Sequence, residues 1–193
     1  WKAEVNLVDG FDREKQKSFF ESLQAIKTTR LAFNFVANHA SLESDLQSQI
    51  AKLPSELTSH FPSRLFAMET HGYLKMLLGE LKVSRAMFTD VRSARVQLIG
   101  NDNFMHANDC ELVCLCALEQ NDLAEASASI NTCLEIRVRH LGQDSPYVLH
   151  AIVNLSALKV RQGKLDEAIK DLQDASSRLD KAVVKDELCL GGC

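Results

Sequence analysis

The residues with most chemical potential are the cysteines. Cys110, Cys114 and Cys116 are clustered, and Cys110 and Cys114 share one face if the segment is helical. A zinc site is conceivable there. Structural zinc, however, takes four ligands, normally paired two to four residues apart on loops. Cys114 and Cys133 also have another explanation, since both occupy slots that a repeat described below fills with small residues. Buried core cysteine is the simpler reading, with no metal and no cofactor. Six cysteines without a knot-like spacing fit a reducing, cytoplasmic compartment. Cys189 and Cys193, in the tail Leu-Cys-Leu-Gly-Gly-Cys, form no prenylation box.

The six histidines (His39, His60, His71, His106, His140, His150) are scattered, with no His-x-x-x-His pair, and read as solvated or helix-end residues. His140 falls at a helix C-terminus, where positive charge is favoured. No nucleophile motif, Gly-rich phosphate loop or paired-carboxylate arrangement stands out, so no catalytic residue is assigned. Arg137 and Arg139 with His140 make a small basic patch, balanced by Glu135 and Asp144, that reads as surface.

These residues need elements to carry them, and an internal period supplies the elements. Leu81, Leu123 and Leu165 are successive steps of 42, as are Phe88, Ile130 and Leu172. Small residues keep the same phase: Ser84, Ala126 and Ala168 at one slot, Gly72, Cys114 and Ser156 at another. Gly79, Asn121 and Gly163 hold the turn slot, all three tolerant of positive φ. The loop Ile99-Gly100-Asn101-Asp102 falls on Leu141-Gly142-Gln143-Asp144. The pattern predicts helix pairs near 65–78 and 81–98, 107–120 and 122–139, and 146–161 and 164–182. Ser145 before Pro146 is an N-cap followed by a first-turn proline.

A single helix pair buries only one side of each helix, whereas stacking several buries a continuous ribbon of Leu, Ile and Ala. With 46% hydrophobic but only 6% aromatic residues, the core must be built from such side chains. Three Pro and eight Gly leave room for long helices. The domain reading follows: 1–12 a lead-in, 13–62 a helical segment, 63–184 the repeat array and 185–193 a flexible tail. In the lead-in, Val5-Asn6-Leu7-Val8 suits a short strand or a frayed start. Asp12 is expected to cap the first long helix and Ser41 the second, which Pro54 stops. Pro62 stands two repeat lengths before Pro146, so residues 14–62 are a candidate degenerate fourth pair.

A net charge of −4 and a pI near 5.9 argue against a nucleic-acid footprint. No run of 18 apolar residues exists to span a membrane. Lys185-Asp186-Glu187-Leu188 is shaped like a retention signal but lies five residues before the terminus, where it would not be read. The chain starts at Trp1 without Met, so the lack of a targeting segment carries no weight.

The repeat resembles the tetratricopeptide repeat, in particular the 42-residue version of kinesin light chains. Asn154-Leu155, Gln162-Gly163-Lys164-Leu165 and Glu167-Ala168 carry the resemblance in the last repeat. In the middle one it rests on Leu134-Glu135-Ile136-Arg137 and Leu141-Gly142-Gln143-Asp144-Ser145-Pro146. Lys75, Ala117 and Lys159 depart from it at a slot the family usually fills with Tyr. The resemblance implies an all-α, right-handed α-solenoid of three antiparallel helix pairs, with a fourth if residues 14–62 join it. It also implies a protein-interaction scaffold whose first helices line a concave groove.

Carried over slot by slot, the groove takes Phe66, Glu69, Tyr73, Met76 and Leu77 from the first repeat. Asn108, Glu111, Leu115, Leu118 and Glu119 come from the second. His150, Val153, Asn154, Ala157, Val160 and Arg161 come from the third. The Lys and Asn set with which some family members grip a C-terminal carboxylate is missing apart from Asn154, so a chaperone-tail receptor is not expected. A peptide or partner protein, held by apolar contact plus a basic residue, is. The competing reading buries several of these residues against another domain of the same chain or the upstream helices.

An alternative of a different class is the C-terminal helical lobe of SET–MYND protein lysine methyltransferases. It has three similar pairs and a Gly-x-x-His-Pro-like loop, met here by Gly142-Gln143-Asp144-Ser145-Pro146 with Ser in place of His. No SET motif and no Cys-x-Cys-x-x-Cys segment precedes the repeats.

Overall fold

A computed structural model describes residues 2–33, 39–57 and 61–190, with the side chains of those from 4 to 179. Every element among them is a helix. The chain divides into two compact units, Trp1–Gly100 and Asn101–Cys193.

The first unit holds α1 (Lys2–Asp9), α2 (Arg13–Ala32), α3 (Ala40–Ala51), α4 (Pro62–Leu77) and α5 (Leu81–Ile99). The Val5–Val8 patch is therefore helical and not a strand. Its alternation is too short to hold an extended chain with no strand beside it. Glu4 of α1 is buried, and its carboxylate accepts the Ser63 backbone N–H (3.2 Å) in the first turn of α4. That turn begins with Pro62 and has donors to satisfy. Asp12 caps α2 as its position suggests, accepting from the Lys15 backbone N–H at 2.9 Å. The next helix begins at Ala40, with His39 and not Ser41 at the cap position, and ends before Pro54. Phe19, Ile26, Leu46, Leu53, Leu57, Ala67 and Leu74 form this unit's core.

The second unit holds α6 (Phe104–Glu119), α7 (Leu123–Leu141), α8 (Pro146–Arg161) and α9 (Leu165–Leu190). The last helix continues past 182 into the stretch expected as a tail; Cys193 lies outside the described residues, and of Cys189 only the helical backbone is described. The core joins Ala107, Cys110, Cys114, Ala117, Leu118, Ala126, Ile130, Cys133, Ile136, Ala151 and Leu158. It thus takes side chains from α6, α7 and α8.

Two features of the period explain why each pair closes. The turn slot needs a left-handed backbone: Gly79, Asn121 and Gly163 have φ of 80°, 57° and 77°. Asparagine manages this better than other non-glycine residues because its short amide can bond locally. The small slot needs close approach. A Cβ placed on Gly72 would meet the Phe88 ring at 2.9 Å, and the equivalent Cys114 and Ser156 are buried to 0% and 1% exposure. Ala126 and Ala168 are likewise enclosed.

Replacing Ala168 by Phe should therefore cost roughly 1–3 kcal/mol through overpacking. A thermal melt of Ala168→Phe against the native chain measures this, with a lowered midpoint as the expected outcome.

Candidate functional site

The cysteines settle into the core. Cys110, Cys114, Cys116 and Cys133 are buried free thiols. Burial pushes Cys114 and Cys133 up to about 12, with nearby Glu111 adding to the rise at Cys114, so neither is a thiolate at neutral pH. His60 lies outside the described residues.

The second unit's polar centre is elsewhere, at Arg137. The expectation that Arg137 belongs to a surface patch is wrong: its side chain is 2% exposed. The reason is a neighbour contributed by α6. Glu111 meets the guanidinium through two parallel bonds, Nη1 to Oε1 at 3.0 Å and Nη2 to Oε2 at 2.8 Å. Arg137 also donates to the Asn108 side-chain oxygen (2.8 Å) and to the Tyr147 carbonyl in the first turn of α8 (2.9 Å). Its guanidinium carbon lies 5.8 Å from the Phe104 ring centre, and Phe104 meets Tyr147 edge-on at 5.0 Å. Glu111 in turn accepts from Asn154 Nδ2 at 2.8 Å and bonds His150 Nδ1 at 2.9 Å, both on α8. One ion pair ties three helices together. Arg139 and His140 do stay at the surface, both against Asp102 (2.8 and 2.9 Å).

Desolvation works to raise the Glu111 carboxyl. The hydrogen bonds and charge of Arg137, helped by His150, outweigh it and hold the group below the ordinary carboxylate range.

The first unit has the same pair one period earlier. Glu69 and Arg95 precede Glu111 and Arg137 by 42 positions each, and Arg95 Nη2 sits 2.5 Å from Glu69 Oε2. Arg30 of α2 adds a second cation at 2.6 Å, its guanidinium 5.4 Å from the Phe66 ring. In the third repeat the two positions are Val153 and Leu179. Comparing apolar and turn residues down the repeat passes over this ladder; comparing the charged ones by the same step reveals it.

The residues carried over as groove candidates divide accordingly. Leu118 is in the core, and Glu111 and Asn154 are committed to the Arg137 network. In the first unit, Tyr73 is half-buried and stacks on Phe33 at 6.3 Å, with Met76 half-buried near by on α4. Leu115 is half-buried on α6. His150, Val153, Val160 and Arg161 are exposed along α8, with Arg161 3.7 Å from Glu119. The two lysines at the tyrosine slot are both ion-paired. Lys75 bonds Glu43 and Glu80, and Lys159 bonds Asp171 at 2.6 Å and Glu167 at 3.4 Å.

Among the described residues, no group of three or more His, Cys, Asp or Glu converges as a metal site. No described helix is long and apolar enough to cross a membrane.

Solved structures show the fold. Crystal structures of the nearly identical TPR-like repeats of a Podosopora anserina protein assigned as a kinesin light chain match over 94% of this chain and 95% of theirs. A point variant gives a TM-score of 0.64 and a second structure 0.62, each at 13% identity. BtubC (BKLC) from P. vanneervenii gives 0.58 at 12% identity, over 94% of each chain. The fold is a tetratricopeptide-like helical repeat. No protein-family model and no curated protein matches the sequence. These likenesses give no support to the methyltransferase-lobe alternative.

Within the tetratricopeptide-like repeat, the Glu–Arg pair should behave as a unit. Glu111→Val alone leaves a buried guanidinium without its carboxylate and should cost about 3–5 kcal/mol. Adding Arg137→Leu, which copies the third repeat's own pair, should recover most of it, and urea melts of the double-mutant cycle read the difference. The pH dependence has a fixed sign. Because the folded-state pKa of Glu111 is depressed, its contribution is full above the ordinary carboxylate range and is lost as pH falls through the lower folded value. The gap in melting temperature between the native chain and Glu111→Gln should narrow below about pH 4.5.

Proposed function

We propose that the chain is a non-catalytic scaffold that holds a peptide or partner protein along the first helices of its repeats. One observation carries the reading. His150, Val153, Ala157, Val160 and Arg161 fall on one stripe of α8 and are all exposed, while Val148, Leu149, Ala151, Ser156 and Leu158 of the same helix are buried. An outward stripe of aliphatic side chains ending in a cation suits an apolar peptide with an acidic group. On α6 the half-buried Leu115 and the exposed Glu119 extend the chemistry.

The reading is supported by the fold, whose solved counterparts are kinesin-light-chain-type repeats. It is supported also by Cys114 and Cys133, whose thiols burial holds protonated at neutral pH. Tyr73 and Met76 are the first unit's candidates for the same role, on α4.

The test is affinity capture with the native chain, Leu115→Glu and Val153→Glu as baits, each checked for native melting. Partners retained by the native chain should be lost from both variants. An identical set on all three baits refutes the reading.

A further inference from the structure

His71 stands at a position that the other repeats keep apolar. Steps of 42 take it to Val113, which is 0% exposed, and to Leu155, which packs against the core of the second unit. It is not the solvated or helix-end histidine that its place in the sequence suggests. It lies within α4, and its side chain is 18% exposed. Its Nε2 is enclosed and makes no hydrogen bond; Glu43 Oε1 of α3, at 3.7 Å, is beyond bonding reach.

The carboxylate that His71 faces is already taken. Glu43 holds the Lys75 ammonium, which also bonds Glu80 at 2.9 Å, and it accepts from Gln47 Nε2 at 3.0 Å. Lys75 is one helical turn from His71 on α4, so a proton on the imidazole puts a second cation beside the first. Glu43 of α3, Lys75 of α4 and Glu80 between α4 and α5 are the charged groups that face the ring. Enclosure and the Lys75 charge favour the neutral imidazole and outweigh the attraction of Glu43 and Glu80. His71 is thereby held below the ordinary histidine value of 6.5. Glu43 stays ionised meanwhile, kept below the ordinary carboxylate range chiefly by its bond from Lys75.

We propose that His71 is an acid-operated release between α3 and α4: a proton on its ring parts the start of α3 from α4 and opens the core of the first unit. The layout decides where the opening begins. Glu43 is in the first turn of α3, against His71 and Lys75. The far end of α3 is held by Arg64, whose Nη1 donates to the Ile50 carbonyl at 3.1 Å. The near end therefore lifts, and Arg64 is the hinge. Lifting admits water to the charged ring and uncovers Leu42 and Leu46, which pack in that core. Because the folded-state pKa is lowered, the contact is held in full above the ordinary histidine value. It weakens as pH falls through the folded one. The release acts within the first unit and does not depend on what the α8 stripe binds.

Hydrogen exchange of the intact chain tests this, read as protection relative to an unstructured chain so that the pH dependence of exchange itself cancels. From about pH 7.5 to about pH 5, still above the carboxylate range, protection should fall several-fold in the first half of α3 and less in the second. An NMR titration of the His71 ring Cε1–H should give a midpoint that matches this loss. His71→Leu, the third repeat's own residue, should keep protection level across the range, with a native melt at the upper pH to show that it folds. Lys75→Met removes the neighbouring cation and should raise the His71 midpoint. His39→Gln should leave the loss in place; His39 sits just before α3, its Nε2 3.0 Å from the Phe33 carbonyl. Level protection in the native chain, or an equal fall in His71→Leu, overturns the proposal. So does a His71 midpoint at or above 6.5. A fall that His39→Gln abolishes would pass the role to His39 and overturn it as well.

Discussion

A guanidinium removed from water must be met by a carboxylate, and in the second unit one such meeting fixes where three helices stand. Arg137 spends both terminal nitrogens on Glu111 and still reaches Asn108 and the Tyr147 carbonyl. Glu111 completes its own shell from α8. Apolar packing alone would hold these helices together but would tolerate sliding along their axes. The fork of hydrogen bonds does not, since a shift of one turn separates donors from acceptors by about 5 Å. The pair therefore supplies alignment more than net stability, as buried ion pairs can.

The first unit shows how far that solution can be adapted. Its Glu69–Arg95 pair joins α4 to α5 as Glu111–Arg137 joins α6 to α7, but the carboxylate's further partner is Arg30 of α2 where Glu111 has His150 and Asn154. The aromatic faces of Phe66 and Tyr73 lie within 5.6 Å of the added cation. A second positive charge can be tolerated there because it remains partly hydrated, at 30% exposure. The turns between paired helices are held more strictly, with a left-handed residue in all three.

Much of this was legible in the chain. Periodic leucines, small residues and turn residues sufficed for the helix pairs, because those features depend on local geometry and nearest neighbours. Helix starts followed where the signal was local too, as at Asp12 and Pro146, whereas α4 begins at Pro62, ahead of the start expected near 65. What could not be read was which polar residues face inward. Arg137 stands beside Arg139 and His140 in the sequence, and only the approach of Glu111 from another helix separates its fate from theirs. Position alone puts Glu111 and Asn154 among the groove candidates, and it does not reveal the hydrogen bond that joins them from α6 to α8. The Val5–Val8 alternation leaves strand and frayed start open because a short amphipathic run fits either period; in the fold it is helical, with Glu4 bonded to the first turn of α4.

The four enclosed thiols carry a chemical consequence of their own. Alkylation and disulfide exchange proceed through the thiolate, which the interior around Cys114 and Cys133 suppresses. Oxidants therefore reach these sulfurs only when a hairpin swings open. A sulfenic or sulfinic acid made during such an excursion would be too polar to return to a slot built for a methyl-sized group. Damage there would act as a ratchet: each oxidised molecule stays open, and the fraction lost records how often the fold has breathed.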